Sequence, residues 1–339
     1  DGVAITVYAT QAPVEYDSNN NTYDKDAAWD GTYPTERPDT FVVDEENHII
    51  YLNSTAAFFY LNTFYSGSEK ASEFADSAYW GYDIVLNTDI NMMNIPFQPI
   101  LLGHTWMCYN FYESCREDAR YETWGDRQRG EEGITAYGEF SKFDGNGHTI
   151  SNINLVSDDA KVGLFAEVNN VCNLKLENVS IKATNKNAMV GALAASHAND
   201  IIDRNVAEAC IENVHVKNVT ILGDGKYVGG LIGYSGNNII NCSVETGSVT
   251  GSNSVGALIG FVDSFTAKIE DCTVSGIKLT NNAAEETVRT RIGYIAGRTN
   301  LTGGNTLTVI RFTETNIAVG DEPVTEPFGK NEVGVPSKN

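Results

Sequence analysis

Val228-Gly229-Gly230-Leu231-Ile232-Gly233 is the stretch on which the fold turns, because the chain writes it several times. The same order of hydrophobic, glycine, small or large, hydrophobic stands at Val162-Gly163-Leu164-Phe165, Val190-Gly191-Ala192-Leu193, Val255-Gly256-Ala257-Leu258 and Ile292-Gly293-Tyr294-Ile295. A further glycine follows in three copies, at Gly233, Gly260 and Gly297. Self-similarity of this kind marks a repeat architecture, in which each unit buries its apolar face only against its neighbours. The glycine suits a bend or a close approach of two backbones.

A second motif, apolar-x-Asn-apolar-x-apolar, interleaves with the first. It reads Ile150-Ser-Asn152-Ile153-Asn-Leu155, Val171-Cys-Asn173-Leu174-Lys-Leu176, Ile211-Glu-Asn213-Val214-His-Val216, Ile239-Ile-Asn241-Cys242-Ser-Val244 and Ile269-Glu-Asp271-Cys272-Thr-Val274. These starts are 21, 40, 28 and 30 residues apart. Constant short strands joined by loops of uneven length give that spacing.

Such strands alternate in and out and lack hairpin turns to their successors, so they stack in parallel, each coil adding about 4.8 Å. The fold expected is all-β, a right-handed parallel β-helix (solenoid) with a short α-helical N-terminal cap. The third motif position becomes a ladder of Asn152, Asn173, Asn213, Asn241 and Asp271, since Asn tolerates a left-handed bend and its amide bonds to the next coil. The fourth becomes an inward ladder of Ile153, Leu174, Val214, Cys242 and Cys272. Cys242 and Cys272 therefore read as small buried hydrophobes, with a disulfide between them as the lesser alternative. Propellers and sandwiches need tight antiparallel hairpins, and leucine-rich repeats need a helix or a regular Leu framework; the repeats offer neither.

Composition bounds the rest. Hydrophobic residues make up 42% of the 339, enough for a core, and no run approaches the ~20 apolar residues of a membrane span. Lys and Arg total 23 against 45 Asp and Glu, a net charge of −22 that repels nucleic acid and anionic lipid. Six cysteines are too few for a disulfide scaffold, although Cys108 and Cys115 share one polar stretch and could pair in an oxidising compartment. The opening, DGVAITVYAT, carries no leader pattern and reads as a chain whose export signal has been removed.

Ser54 is a good N-cap for a helix over 55–64, with Phe58, Leu61 and Tyr65 on one face and Lys70 to Tyr79 as an extension. Ile84-Val85-Leu86 and Ile90 read as strand. Phe143-Asp144-Gly145-Asn146-Gly147-His148-Thr149-Ile150 reads as a positive-φ turn into the first ladder strand, with His148 a turn residue rather than a metal ligand. Taken in order, the helix, VLNTDINM, PFQPI, EFSKFDGNGHTISNINL, VGLFAEV and the VGALAA and VGGLIG repeats resemble the GLUG-type repeat proteins over roughly residues 47–315. These are exported β-helical surface proteins of gut Bacteroidetes and some bacterial adhesins. The resemblance implies export and an adhesive or binding role, and it brings no catalytic residues.

The chain departs from that pattern between Ile100 and Glu139, where an insertion gathers Trp106, Tyr109, Phe111, Tyr112, Tyr121, Trp124 and Tyr137 beside Arg116, Arg120, Arg127 and Arg129. Flat aromatics flanked by charged hydrogen-bonders suit a sugar face or a protein partner; equally, aromatics hold a long loop down on its own wall. The candidate ligand-binding set is Trp106, Tyr109, Tyr112, Tyr121, Trp124 and Arg127. Val3-Ile5-Val7 alternates like an edge strand, and YDSNNNTYDKDAAWDG after it lacks EF-hand spacing, so neither metal nor cofactor is expected. The divisions expected are 1–46 strand and loop, 47–100 helical cap and first strands, 101–139 insertion, 140–319 repeats, and 320–339 closing strap or tail.

Three functions remain. Acids in the repeats are scattered (Asp158, Asp159, Glu177, Asp203, Glu212, Glu245, Asp271), His197 and His215 lack a partner visible in sequence, and Ser235 misses the nucleophile-elbow spacing. A β-helical polysaccharide-degrading enzyme is thus the weakest reading, and a structural spacer has no need of the insertion. The expectation is an exported cell-surface or secreted binding protein, adhesin-like, taking a host or dietary glycan or an extracellular protein through protruding loops, without nucleic acid and without membrane insertion.

Overall fold

The computed structural model describes residues 34, 36–65, 82–95, 97–102, 142–197, 210–263, 266–300 and 306–329. The strand Asn170–Ala183 shows how sequence becomes shape. Val171, Leu174, Leu176, Val179 and Ile181 are buried while Lys175, Glu177, Ser180 and Lys182 face out. That period of two slips by one residue at Asn173 and again at Asn178, and both take a left-handed φ, 52° and 58°. Asn is among the few side chains that reach this region at small cost, so each one bends the strand and returns the next residue to the inside.

The chain passes repeatedly through three sheets. The largest has sixteen strands, and its centre runs in parallel through Asn170–Ala183, Cys210–Gly223, Ser243–Gly251 and Thr273–Asn281. The second has five, Lys161–Val162, Met189–Val190, Tyr227–Gly229, Ser254–Gly256 and Ile292–Gly293. The third has six, Ile100–Leu101, Phe165–Val168, Ala194–His197, Ile232–Ser235, Ile259–Asp263 and Ala296–Asn300. Pairing is parallel throughout, except where Phe41–Asp44 meets Ile49–Leu52 and where Ala318–Val319 meets Glu322–Pro323. The architecture is all-β, and those two pairs near its ends make the large sheet mixed.

The five glycine motifs stack in register, Val162, Val190, Val228, Val255 and Ile292 forming one inward row. Their glycines serve close approach, not positive φ. A Cβ on Gly229 would lie 2.0 Å from the Ile232 carbonyl oxygen, and one on Gly256 1.8 Å from that of Ile259. The trailing glycines press on the neighbouring sheet: a Cβ on Gly233 or Gly260 would lie 2.5 Å from the Val190 or Val228 nitrogen.

The asparagine ladder forms, with one correction. Asn213 donates to Asn173 Oδ1 at 2.9 Å and Asn241 to Asn213 Oδ1 at 3.2 Å, and Asp271 and Arg311 continue the row with φ of 54° and 50°. Asn152 is not in it. Ile153 pairs with Val179, so Asn152 belongs to a second ladder, donating to Asn91 Oδ1 at 2.9 Å and accepting from Asn178, which accepts from Asn218. Thr246, Gly276 and Asn316 hold the same bend further along, all with positive φ. The place in the first ladder expected for Asn152 goes to the Gly145–His148 turn, where Asp144 accepts from Asn173 at 3.0 Å. Ile153 likewise leaves the row of Leu174, Val214, Cys242 and Cys272, all four of which are buried.

At the start of the stack Ser54 Oγ accepts the Ala57 N–H at 3.0 Å, capping the helix Thr55–Tyr65. Its Ala57, Phe58, Phe59 and Leu61 are buried against the first strands, and Tyr60 meets Phe41 edge-on at 5.1 Å. The expected extension to Tyr79, the strand at Val3–Val7, and Cys108 and Cys115 lie outside the described residues.

Candidate functional site

Each pass leaves the six-stranded sheet and re-enters the large one at the same corner, and there the connection length varies most. The connecting residues are 102–141, then Asn169 alone, then 198–209, 236–237, 264–265 and 301–305. The flanking strands pair in parallel with their neighbours whatever the connection's length, with one register shift, between Ile100 and Leu101 ahead of the longest. The longest is held at its roots: the Leu102 N–H donates to the Glu167 carbonyl at 2.9 Å, and that of Lys142 to Asp83 Oδ1 at 2.9 Å. Trp106, Tyr109, Tyr112, Tyr121, Trp124 and Arg127 all belong to this connection and lie outside the described residues.

Beneath the corner sits a polar pair that sequence reasoning missed. His197 is 0% exposed and Ser235 1%, in adjacent strands of the six-stranded sheet. The Asn169 carbonyl lies 2.9 Å from Nε2 and can only accept, so Nε2 carries the proton and Nδ1 accepts the Ser235 hydroxyl at 3.1 Å. Burial holds the imidazole neutral by lowering its pKa to about 4. His215 likewise gains a serine one coil on, Ser243 at 3.0 Å, with Asn213 Oδ1 2.9 Å from its other nitrogen. Such partners, 38 and 28 residues away, show no local spacing to recognise. A serine bound to a neutral histidine has the chemistry of an activated nucleophile. At His197 and Ser235 both groups are sealed from solvent, so the pair acts as a hydrogen-bonded core element.

On the outer face Lys226, Tyr227, Phe261 and Arg298 form one pile. The ammonium stands 5.0 Å from the Tyr227 ring, the two rings stack at 4.6 Å, and the guanidinium stands 5.4 Å from Phe261. Their ring faces cover one another. Tyr234 leans on the pile and reaches Asp263 at 3.5 Å, while Asn300 donates to Asp263 at 3.0 Å; burial raises that carboxyl's pKa.

Among the described residues the acids scattered in sequence stay dispersed, and Asp203 lies outside them. Glu212 and Glu270 share a row with Ile240 between them. Glu270 and Asp271 are gripped by Arg311, at 2.6 and 2.5 Å, and Lys268 also pairs with Glu270. Their hydrogen bonds, from Lys268 to Glu270 and from Arg311 to Asp271, hold both carboxyls below the ordinary range. His148, at the end of its turn, meets Asp89 of the neighbouring strand's approach at 3.1 Å.

Residues 224–250, which include the Val228–Gly233 stretch and the strands on either side of it, match a family model described as the GLUG motif. The chain carries the GLUG motif. In the structure that segment enters the five-stranded sheet, turns at Gly230-Leu231, crosses the six-stranded sheet and returns to the large one. No curated protein matches the chain in sequence. Among solved structures, it is similar to a candidate immunoglobulin A1 protease from Bacteroides ovatus. That match has 14% identity, covers 82% of this chain and 81% of the other, and has a TM-score of 0.42, too low to transfer fold or activity.

Proposed function

We propose that this GLUG-motif chain is an exported cell-surface or secreted binding protein, adhesin-like, which engages a glycan or an extracellular protein through loops on one edge of a right-handed parallel β-helix. The observation that carries the reading is the corner of varying connections, whose longest member holds Trp106, Tyr109, Tyr112, Tyr121, Trp124 and Arg127. Aromatic and Arg side chains are the residues that most often anchor partners. Right-handed coiling follows from the strong preference of parallel crossover connections for that hand. Export is supported by the motif's resemblance, and the acidic surface, −22 overall, suits a solvent-facing protein that does not take nucleic acid.

The test is binding of the purified protein to an array of host and dietary glycans and matrix proteins, beside the double variant Trp106→Ala/Trp124→Ala. A ligand bound by the parent and lost in the variant supports the reading and its site. A ligand kept by the variant moves the site off the insertion. Silence across the array favours a spacer, for which those aromatics pack on the wall.

A further inference from the structure

Two of the four described cysteines face each other across neighbouring coils. Ile239 pairs with Ile269 and Ser243 with Thr273, which sets Cys242 opposite Cys272, and the Thr273 N–H donates to the Cys242 carbonyl at 2.9 Å. Neighbouring strands lie about 4.8 Å apart, inside the window of roughly 4.4–6.8 Å that Cα atoms of a disulfide occupy. Both side chains point inward and are closed off, at 1% and 0% exposure. Cys172 and Cys210 lack this arrangement, standing opposite Glu212 and Asn238.

We infer that Cys242 and Cys272 are a dithiol that closes to a disulfide between adjacent coils when the chain folds with a thiol-disulfide oxidant present. In the closed stack each S–H donates to a main-chain carbonyl, Cys242 to Ile240 at 3.2 Å and Cys272 to Glu270 at 3.3 Å. In the first step the Cys272 thiolate attacks one sulfur of a small disulfide such as oxidised glutathione, forming a mixed disulfide and expelling one glutathione thiolate. Cys242 then gives its proton to that thiolate, or to water, and attacks the Cys272 sulfur, and the second glutathione leaves. Two electrons pass from the pair to the oxidant, and two glutathione thiols are the product. Because the finished stack buries both sulfurs, the exchange belongs to folding, before the coil carrying Cys272 has closed over Cys242.

The experiment refolds the reduced, denatured full chain in a mixture of reduced and oxidised glutathione, blocks free thiols by alkylation, and digests with trypsin without reduction. Cleavage after Lys226, Lys268 and Lys278 places Cys242 in 227–268 and Cys272 in 269–278. The expected product is these two peptides joined, two hydrogens lighter than their sum, separating on reduction. It persists in Cys172→Ser/Cys210→Ser and is lost in Cys242→Ser. Refolded protein with both peptides separately alkylated overturns the inference, as does Cys242 linked to another cysteine. Should the chain not refold, the same peptides are read from protein secreted through an oxidising periplasm. The readout needs neither export in the native host nor a ligand, so its failure is distinct from failure of the proposed function.

Discussion

Two corners of the same coil follow opposite rules. Where the five-stranded sheet gives way to the six-stranded one, the connections are 163–164, 191–193, 230–231, 257–258 and 294–295, constant to within one residue. Where the six-stranded sheet gives way to the large one, they run from Asn169 alone to the whole of 102–141. The difference is contact distance. At the first corner backbones pack so closely that even a methyl group would overlap a carbonyl, so neither bulk nor length can be added. At the second no such glycine contact recurs among the described residues, and lengthening a connection there costs only slowly growing loop entropy. The third corner, at 158–160, 184–188, 224–226, 252–253 and 282–291, is intermediate, and its longest member holds the short helix Glu286–Arg289. A protein built this way keeps its stability at one corner and varies its surface at another.

The largest effect expected is at the closed corner. Gly256→Val sets a branched side chain where a Cβ alone would lie 1.8 Å from the Ile259 oxygen. Urea unfolding should register a loss above about 4 kcal/mol, the range reached only by severe packing faults. A loss under 1 kcal/mol would show that the corner yields and that the comparison is misdrawn.

Next comes the left-handed bend inside the large sheet. Asn213→Ala gives up φ 54° tolerance and the ladder bonds to Asn173 and Asn241, for about 3 kcal/mol. Asn213→Gly keeps the backbone freedom and should cost about 1 kcal/mol, so the gap between the two variants measures the strain.

Beneath the open corner the measurement is pH. His197 is neutral in the fold with a pKa of about 4, against 6.5 when exposed. The unfolded chain therefore binds a proton that the native state refuses, and stability is full above pH 6.5 and falls as the pH drops towards 4. At about 1.4 kcal/mol per pH unit, some 2 kcal/mol should go between pH 7 and 5. His215, whose pKa burial also lowers, adds in the same direction. His197→Gln should flatten most of that slope in urea midpoints taken across the range; an unchanged slope would mean that the imidazole is reached by solvent.

The smallest effect belongs to the open corner itself. Six Gly/Ser residues inserted at 264–265 should cost about 1 kcal/mol, two doublings of a short loop. The same six between Gly256 and Ala257 should abolish cooperative unfolding.

The repeat was legible because its cause is local. Glycine at a forced approach, Asn at a left-handed bend and apolar residues at alternate positions are demands each residue meets on its own, so both motifs, the inward rows and the Ser54-capped helix could be read from the chain. What sequence could not decide was which copy of a motif pairs with which. Two coils write apolar-x-Asn-apolar-x-apolar twice, as Val171 to Leu176 then Leu176 to Ile181 and as Ile211 to Val216 then Val216 to Ile221, because both bends ask for the same residues; Thr246 and Gly276 take the second Asn's place in the next two. Ile150 to Leu155 fits either one. Only hydrogen bonding between coils assigns it to the second, since the Gly145–His148 turn occupies the first. The same limit hid the partners of His197 and His215 and the facing of Cys242 and Cys272. Those contacts join residues 28 to 38 apart through loops of uneven length, and register, a property of stacked backbones, exists only once the chain has folded.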